Sequence, residues 1–183
     1  CKQLLKNYKL LCSAVLCISV LASCRPDVHE SNSGKRYFDI KTFINADSAR
    51  LNRSHAAVIK TVEHNNSGAQ TKRLTITNWG QELSAFSASD INKPAWRDGY
   101  LIKQQGDSIV YTALMPELVT RRMVIQQSGK VVKKIRIENF TKNLLYQTTE
   151  HLVYYPDSLY IIDKLQKVKL IGSNRYLITG KMR

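Results

Sequence analysis

The segment Val131–Phe140 reads VVKKIRIENF, and its alternation decides the fold. Val131, Ile135 and Ile137 fall on one side of an extended chain, and Lys134, Arg136 and Glu138 on the other, because successive strand side chains point to opposite faces. A strand of this kind belongs to a sheet packed on one face and wet on the other. The same texture runs outward in both directions. Tyr100–Gln104, Ser108–Leu114 and Arg121–Gln127 precede it as strands, and Leu144–Tyr155, Ser158–Val168 and Arg175–Met182 come after it. The links between them, such as Gln105-Gly106-Asp107, Ser128-Gly129-Lys130 and Pro156-Asp157, are a few residues long. A parallel crossover takes about a dozen residues or more, so neighbouring strands must run antiparallel.

Upstream of Pro94 the pattern changes. Tyr37, Ile40, Ile44 and Leu51 recur near one face of a helix that ends about His55. A hairpin comes next, with strands Ala57–His64 and Thr71–Thr77 around Asn65-Asn66-Ser67-Gly68, residues that tolerate positive φ. Asn78 then caps a second helix, Trp79–Ser89, which Asn92-Lys93-Pro94 breaks. The expected architecture is α+β: two N-terminal helices packed on a curved antiparallel β-meander, in a single domain covering 37–183.

The chain has 183 residues, 28 of them Lys or Arg against 14 Asp or Glu, for a net charge of +14. That length suits one domain with a tail. With 43% hydrophobic and 23% charged residues it has the makings of a core, which excludes disorder or a collagen-like repeat for its bulk. The one continuous apolar run lies at the N-terminus. Lys2, Lys6 and Lys9 precede an uncharged stretch, Leu10–Ala22, of 13 residues. A membrane-spanning helix needs about 20 apolar residues, whereas the apolar core of a secretory signal needs about 7–15 behind a basic start. The run reads as a signal peptide.

Its end, Leu21-Ala22-Ser23-Cys24, resembles the lipobox of bacterial lipoproteins. The resemblance implies that Leu21, Ala22 and Ser23 are recognised by the signal peptidase, that residues 1–23 are removed, and that Cys24 carries diacylglycerol and acyl chains. Two or three acyl chains anchor a protein stably where one does not. Cys1, Cys12 and Cys17 would leave with the signal, so no thiol remains for a disulfide or a zinc site in the mature domain. Residues 24–36 read as a flexible tether. Arg25 stands where an Asp would signal retention at the inner membrane, so the resemblance places the protein at the outer membrane, facing the periplasm. The segments SDINKPAWRDGY (Ser89–Tyr100) and NFTKNLLYQTTE (Asn139–Glu150) are similar to small envelope lipoproteins of Bacteroidota, a likeness that brings no activity with it.

Candidate chemistry is sparse. His29, His55, His64 and His151 show no metal-ligand spacing. His151 and Glu150 are strand neighbours, so they point apart. Neither a G-x-S-x-G elbow nor a Gly-rich phosphate loop occurs, and Asp107 and Asp157 occupy turns where Asp is expected for backbone reasons. No catalytic residue, metal or cofactor is assigned. The basic residues Lys130, Lys133, Lys134 and Arg136 cluster, and Tyr146, Tyr154, Tyr155 and Tyr160 gather near the Tyr155-Pro156-Asp157 turn. These cations read either as the solvated face of a sheet or as contacts to an anionic envelope partner, a lipid or an acidic glycan. Export argues against nucleic acid. The expected function is a lipid-anchored, non-enzymatic envelope module that binds or scaffolds another component. A carrier of an apolar or anionic lipid is the alternative, with a periplasmic hydrolase behind it.

Overall fold

The structure, a computed structural model, describes residues 35–182; the signal segment, Leu21, Ala22, Ser23 and Cys24, and all but the last two residues of the tether lie outside the described residues. The chain divides into two units, Cys1–Gly34 and Lys35–Arg183, and all the described elements belong to the second.

Nine antiparallel strands dominate it: β1 (Ala57–His64), β2 (Ala69–Thr75), β3 (Tyr100–Gln105), β4 (Ser108–Ala113), β5 (Thr120–Ser128), β6 (Val131–Lys142), β7 (Tyr146–Tyr155), β8 (Leu159–Val168) and β9 (Gly172–Met182). They form one sheet in the order β2-β1-β9-β8-β7-β6-β5-β4-β3. From β3 to β9 this is the meander that the short links require. The hairpin β1–β2 then joins at the far side, where β1 pairs with β9 from Val58↔Met182 to His64↔Tyr176. That hairpin turns through Asn65 and Asn66 at φ 50° and 58°, the left-handed conformation asparagine tolerates.

Register explains the core. Tyr111, Met123, Ile137, Leu152, Ile162 and Ile178 are successive cross-strand partners, and Ile125, Ile135, Tyr154 and Tyr160 form the next row. Both rows share one face and pack with Ile40, Ile44, Leu51, Trp79, Leu83 and Phe86 in a single hydrophobic cluster. The alternation read in β6 needs one correction. Val131 is 56% exposed and Val132 is buried, because the pairing of β5 with β6 slips between Gln126 and Gln127 and the facing of β6 shifts there. The opposite face is not uniformly wet either, since Val110 and Val124, register partners, are buried there.

Helix α1 (Ile40–Ser54) is capped by Asp39, whose carboxylate accepts from the Thr42 N–H at 3.1 Å, and it ends at His55 in the left-handed conformation. The segment expected as one helix from Trp79 to Ser89 is two short ones, α2 (Trp79–Glu82) and α3 (Ser84–Ala88), meeting at Leu83. Gly80 and three serines make it a poor helix former. The Ser87 and Ser89 hydroxyls donate to the carbonyls of Ser84 and Ala85, and burial of Leu83 and Phe86 holds the segment in place instead.

Candidate functional site

On the helix-covered face the middle of the sheet is filled. Tyr154 and Tyr160, opposite one another in β7 and β8, are both fully buried. The Tyr154 hydroxyl donates to Asp47 of α1, and the Tyr160 hydroxyl donates to Glu82 of α2 at 2.6 Å. Burial, and then the carboxylate each touches, drives both phenols well above their ordinary pKa. Tyr160 lies edge-on to the Trp79 indole, with centroids 6.2 Å apart. Its ring crosses over Gly180 of β9, where any Cβ would overlap it.

To one side of this filled centre the packing opens into a cleft of about 520 Å³. Leu74, Ile76, Ile162 and Ile178 supply apolar wall, while Asn78 and Gln81 at the start of α2 line it with amides. Lys60 and Glu82 also line it, and they pair: the Lys60 ammonium lies 2.7 Å from Glu82 Oε1 and 2.9 Å from Oε2. The Glu82 carboxylate therefore receives Lys60 and Tyr160 together. Its side chain is only 16% exposed, so an unpaired charge there would be costly. Two local features aim α2 at this place. The Asn78 side chain accepts from the Gln81 N–H at 3.0 Å, and the Asn52 side chain of α1 accepts from the Trp79 N–H at 3.0 Å. Chemically this is an amphipathic cleft, with an aliphatic wall and an internally neutralised polar end.

Apart from Asn78, expected only as a helix cap, the sequence marks none of these cleft residues, although one signal is present. In the alternation Val58, Lys60, Val62, the lysine shares the inward side with two valines, and a cation on an apolar face requires a buried anion. Glu82, its partner, is 22 residues away, and no local pattern joins the two.

The residues the sequence did single out lie elsewhere. Lys130 sits in the β5–β6 turn, Lys133 and Arg136 are exposed on β6, and none of these three has an ion-pair partner among the described residues. Lys134 lies over the Tyr155 ring at 4.8 Å. Three of the four tyrosines lie beside the Tyr155-Pro156-Asp157 turn, but on opposite faces, Tyr154 and Tyr160 in the core and Tyr155 under Lys134, whereas Tyr146 pairs with Val168 at the opposite end of its strand. Glu150 and His151 do point apart. Glu150 meets Lys164 at 3.1 Å and Asn139 at 3.3 Å, whereas His151 lies in register with Glu138 and Asp163. Asp163 in turn accepts from Arg175 through both oxygens, at 2.9 and 2.7 Å, which holds its pKa below the usual carboxylate range. His64 stacks on Tyr176 at 4.5 Å. No group of three or more His, Cys, Asp or Glu able to hold a metal ion occurs among the described residues.

Comparison with protein-family models, with curated proteins and with solved structures finds no match.

Proposed function

We propose that this chain is a lipid-anchored lipoprotein of the cell envelope, held by acyl chains on Cys24 at the outer membrane on its periplasmic side, and that its domain is a non-enzymatic binding module. In this reading α1 and the two short helices sit on the concave side of a curved sheet. The cleft beside α2 takes a small amphipathic molecule, with its apolar part along Leu74, Ile162 and Ile178 and its polar end toward Asn78 and Gln81.

The observation that carries the binding role is the chemistry of the cleft. Leu74, Ile76, Ile162 and Ile178 make one part of its wall aliphatic against polar Thr75, Thr77, Asn78 and Gln81, and its one lining carboxylate, Glu82, is engaged by Lys60 and Tyr160 on both oxygens. Such a carboxylate suits a wall that holds a ligand better than a base that attacks one. The anchor rests on Leu21-Ala22-Ser23-Cys24 and the basic, then apolar, segment before it. A second reading, scaffolding through contact with an anionic lipid or glycan, draws on Lys130, Lys133 and Arg136, which have no ion-pair partner among the described residues.

Two measurements test this. Intact mass of membrane-extracted protein should show a chain beginning at Cys24 with diacylglycerol and acyl mass, absent from Cys24→Ala; an unlipidated chain retaining Leu10–Ala22 would sink the anchor. Organic extracts of purified protein should contain an amphiphile that the cleft-filling Ile178→Trp variant lacks. Equal recovery from both proteins, or none from either, would sink the cleft as the binding site.

A further inference from the structure

Antiparallel order brings the β4–β5, β6–β7 and β8–β9 connections to one end of the sheet. The β6–β7 and β8–β9 connections touch, the Lys169 N–H donating to the Leu145 carbonyl at 3.0 Å, and the β4–β5 connection is tied to β6, the Phe140 N–H donating to the Val119 carbonyl at 2.8 Å. The β1–β2 turn, Asn65-Asn66-Ser67-Gly68, reaches the same end and is polar, but these three connections are apolar where turns are ordinarily polar. Leu144 is 84% exposed, Leu145 70%, Leu170 fully and Ile171 79%, with Leu114 and Met115 exposed in the loop alongside. At the other end the turns read Gln105-Gly106-Asp107, Ser128-Gly129-Lys130 and Pro156-Asp157-Ser158, the expected chemistry.

Leu170 is the sharpest case. It holds φ 68°, a conformation that suits Gly or Asn and costs a leucine of order 1 kcal/mol, and its side chain has no packing to compensate. The isolated fold gains nothing from leucine there. Behind the apolar tips stand cations. Lys142 and Lys167 both pair in register with Gln147, one rung back from the turns, and Lys169 is in the β8–β9 turn itself. Against them the three connections hold one carboxylate, Glu117. Tyr37 also lies toward this end, edge-on to Tyr100 and Tyr111 at 5.5 and 5.8 Å, and Tyr100 pairs with Ala113, the last residue of β4.

We propose that this end of the sheet docks on an anionic lipid bilayer, with Leu144, Leu145, Leu170 and Ile171 entering the boundary between headgroups and acyl chains. Lys142, Lys167 and Lys169 then lie at the level of the phosphates. Exposed leucines in front of a basic collar complement such a surface in both polarity and charge. The inference goes beyond the anchored binding module and does not require the lipid on Cys24.

The test is amide hydrogen exchange on the full chain bound to vesicles of phosphatidylcholine with phosphatidylglycerol, compared with a variant carrying Leu144→Asp, Leu145→Asp, Leu170→Asp and Ile171→Asp. Both proteins share one N-terminus, so anchoring by that segment cancels. The wild-type turns at 143–146 and 169–172 should exchange at least about tenfold more slowly than the variant's, with the turns of the opposite end identical in both. Equal exchange overturns the proposal. So does wild-type protection that appears without vesicles and grows with protein concentration, which would assign the patch to a second copy of the chain. A separate arm uses Leu170→Asn, which should raise Tm while weakening the protection on vesicles. A lower Tm would show that Leu170 serves the fold, and would overturn its role in docking.

Discussion

At the scale of single residues, the most constrained position on the helix-covered face is Gly180. The Tyr160 ring lies across it to reach Glu82, so one missing Cβ sets the position of the hydroxyl that closes the polar end of the cleft. Gly180→Ala should cost about 1–3 kcal/mol by overpacking. In a Tyr160→Ala background the sign reverses, because alanine outperforms glycine within an unobstructed strand by about 0.5–1 kcal/mol. Urea denaturation midpoints of the four proteins would check this, and equal costs of Gly180→Ala in both backgrounds would refute the packing account. None of it was legible beforehand. A glycine in strand sequence announces a bulge or a close approach, but not which ring approaches.

At the scale of elements, α1 shows how a local signal and a tertiary one divide the work. Asp39 starts it as a cap, and Ile40, Ile44 and Leu51 bury one face. Burial alone would raise the Asp39 pKa, but hydrogen bonds from Lys35 and Thr42 together hold it below its ordinary value. A depressed folded-state pKa contributes stability that is present above the unfolded carboxylate range and is lost as pH falls through the folded value. Asp39→Ala should therefore cost about 1 kcal/mol at neutral pH. The gap from wild type should close on acidification below the ordinary carboxylate range. Thermal melts across that range read it directly, and a gap constant with pH would show that the cap does not act through its charge.

The helical pattern of α1, the strand alternation and the antiparallel order of β3–β9 were readable because each has a signal confined to neighbouring residues or short links. The split between α2 and α3 and the slip in β6 were not. In both places packing of particular side chains, Leu83 and Phe86 in one and Val132 in the other, overrides the local period. The cleft shares this origin, since Lys60 and Glu82 meet only after β1 and α2 have docked.

At the scale of the whole molecule, the decisive contact is between β1 and β9. Val58, fully buried, faces Met182 across that pairing. No sequence pattern named β9 as the partner of β1, because strands so distant share no turn. Closing so long a loop comes at a large entropic cost, so this pairing should form late. Val58→Ala should destabilise by about 2 kcal/mol and express nearly all of it as faster unfolding, with the folding rate hardly changed. Stopped-flow chevrons would decide, and a matching drop in the folding rate would place β1–β9 in the nucleus instead.

The same pairing has a consequence for synthesis. Of the nine strands, β9 is the last to leave the ribosome, yet it lies between β1 and β8 and each needs it as a neighbour. While the chain is being made, β1 has β2 on one side and nothing on the other, so the sheet is left as two pieces with the hairpin unmoored from the meander. The domain therefore has no finished intermediate that lacks its C-terminal strand. A polypeptide released before Gly172–Met182 exists leaves β1 and β8 each with a raw edge that the finished sheet pairs, and those edges are open to proteases and to other strands.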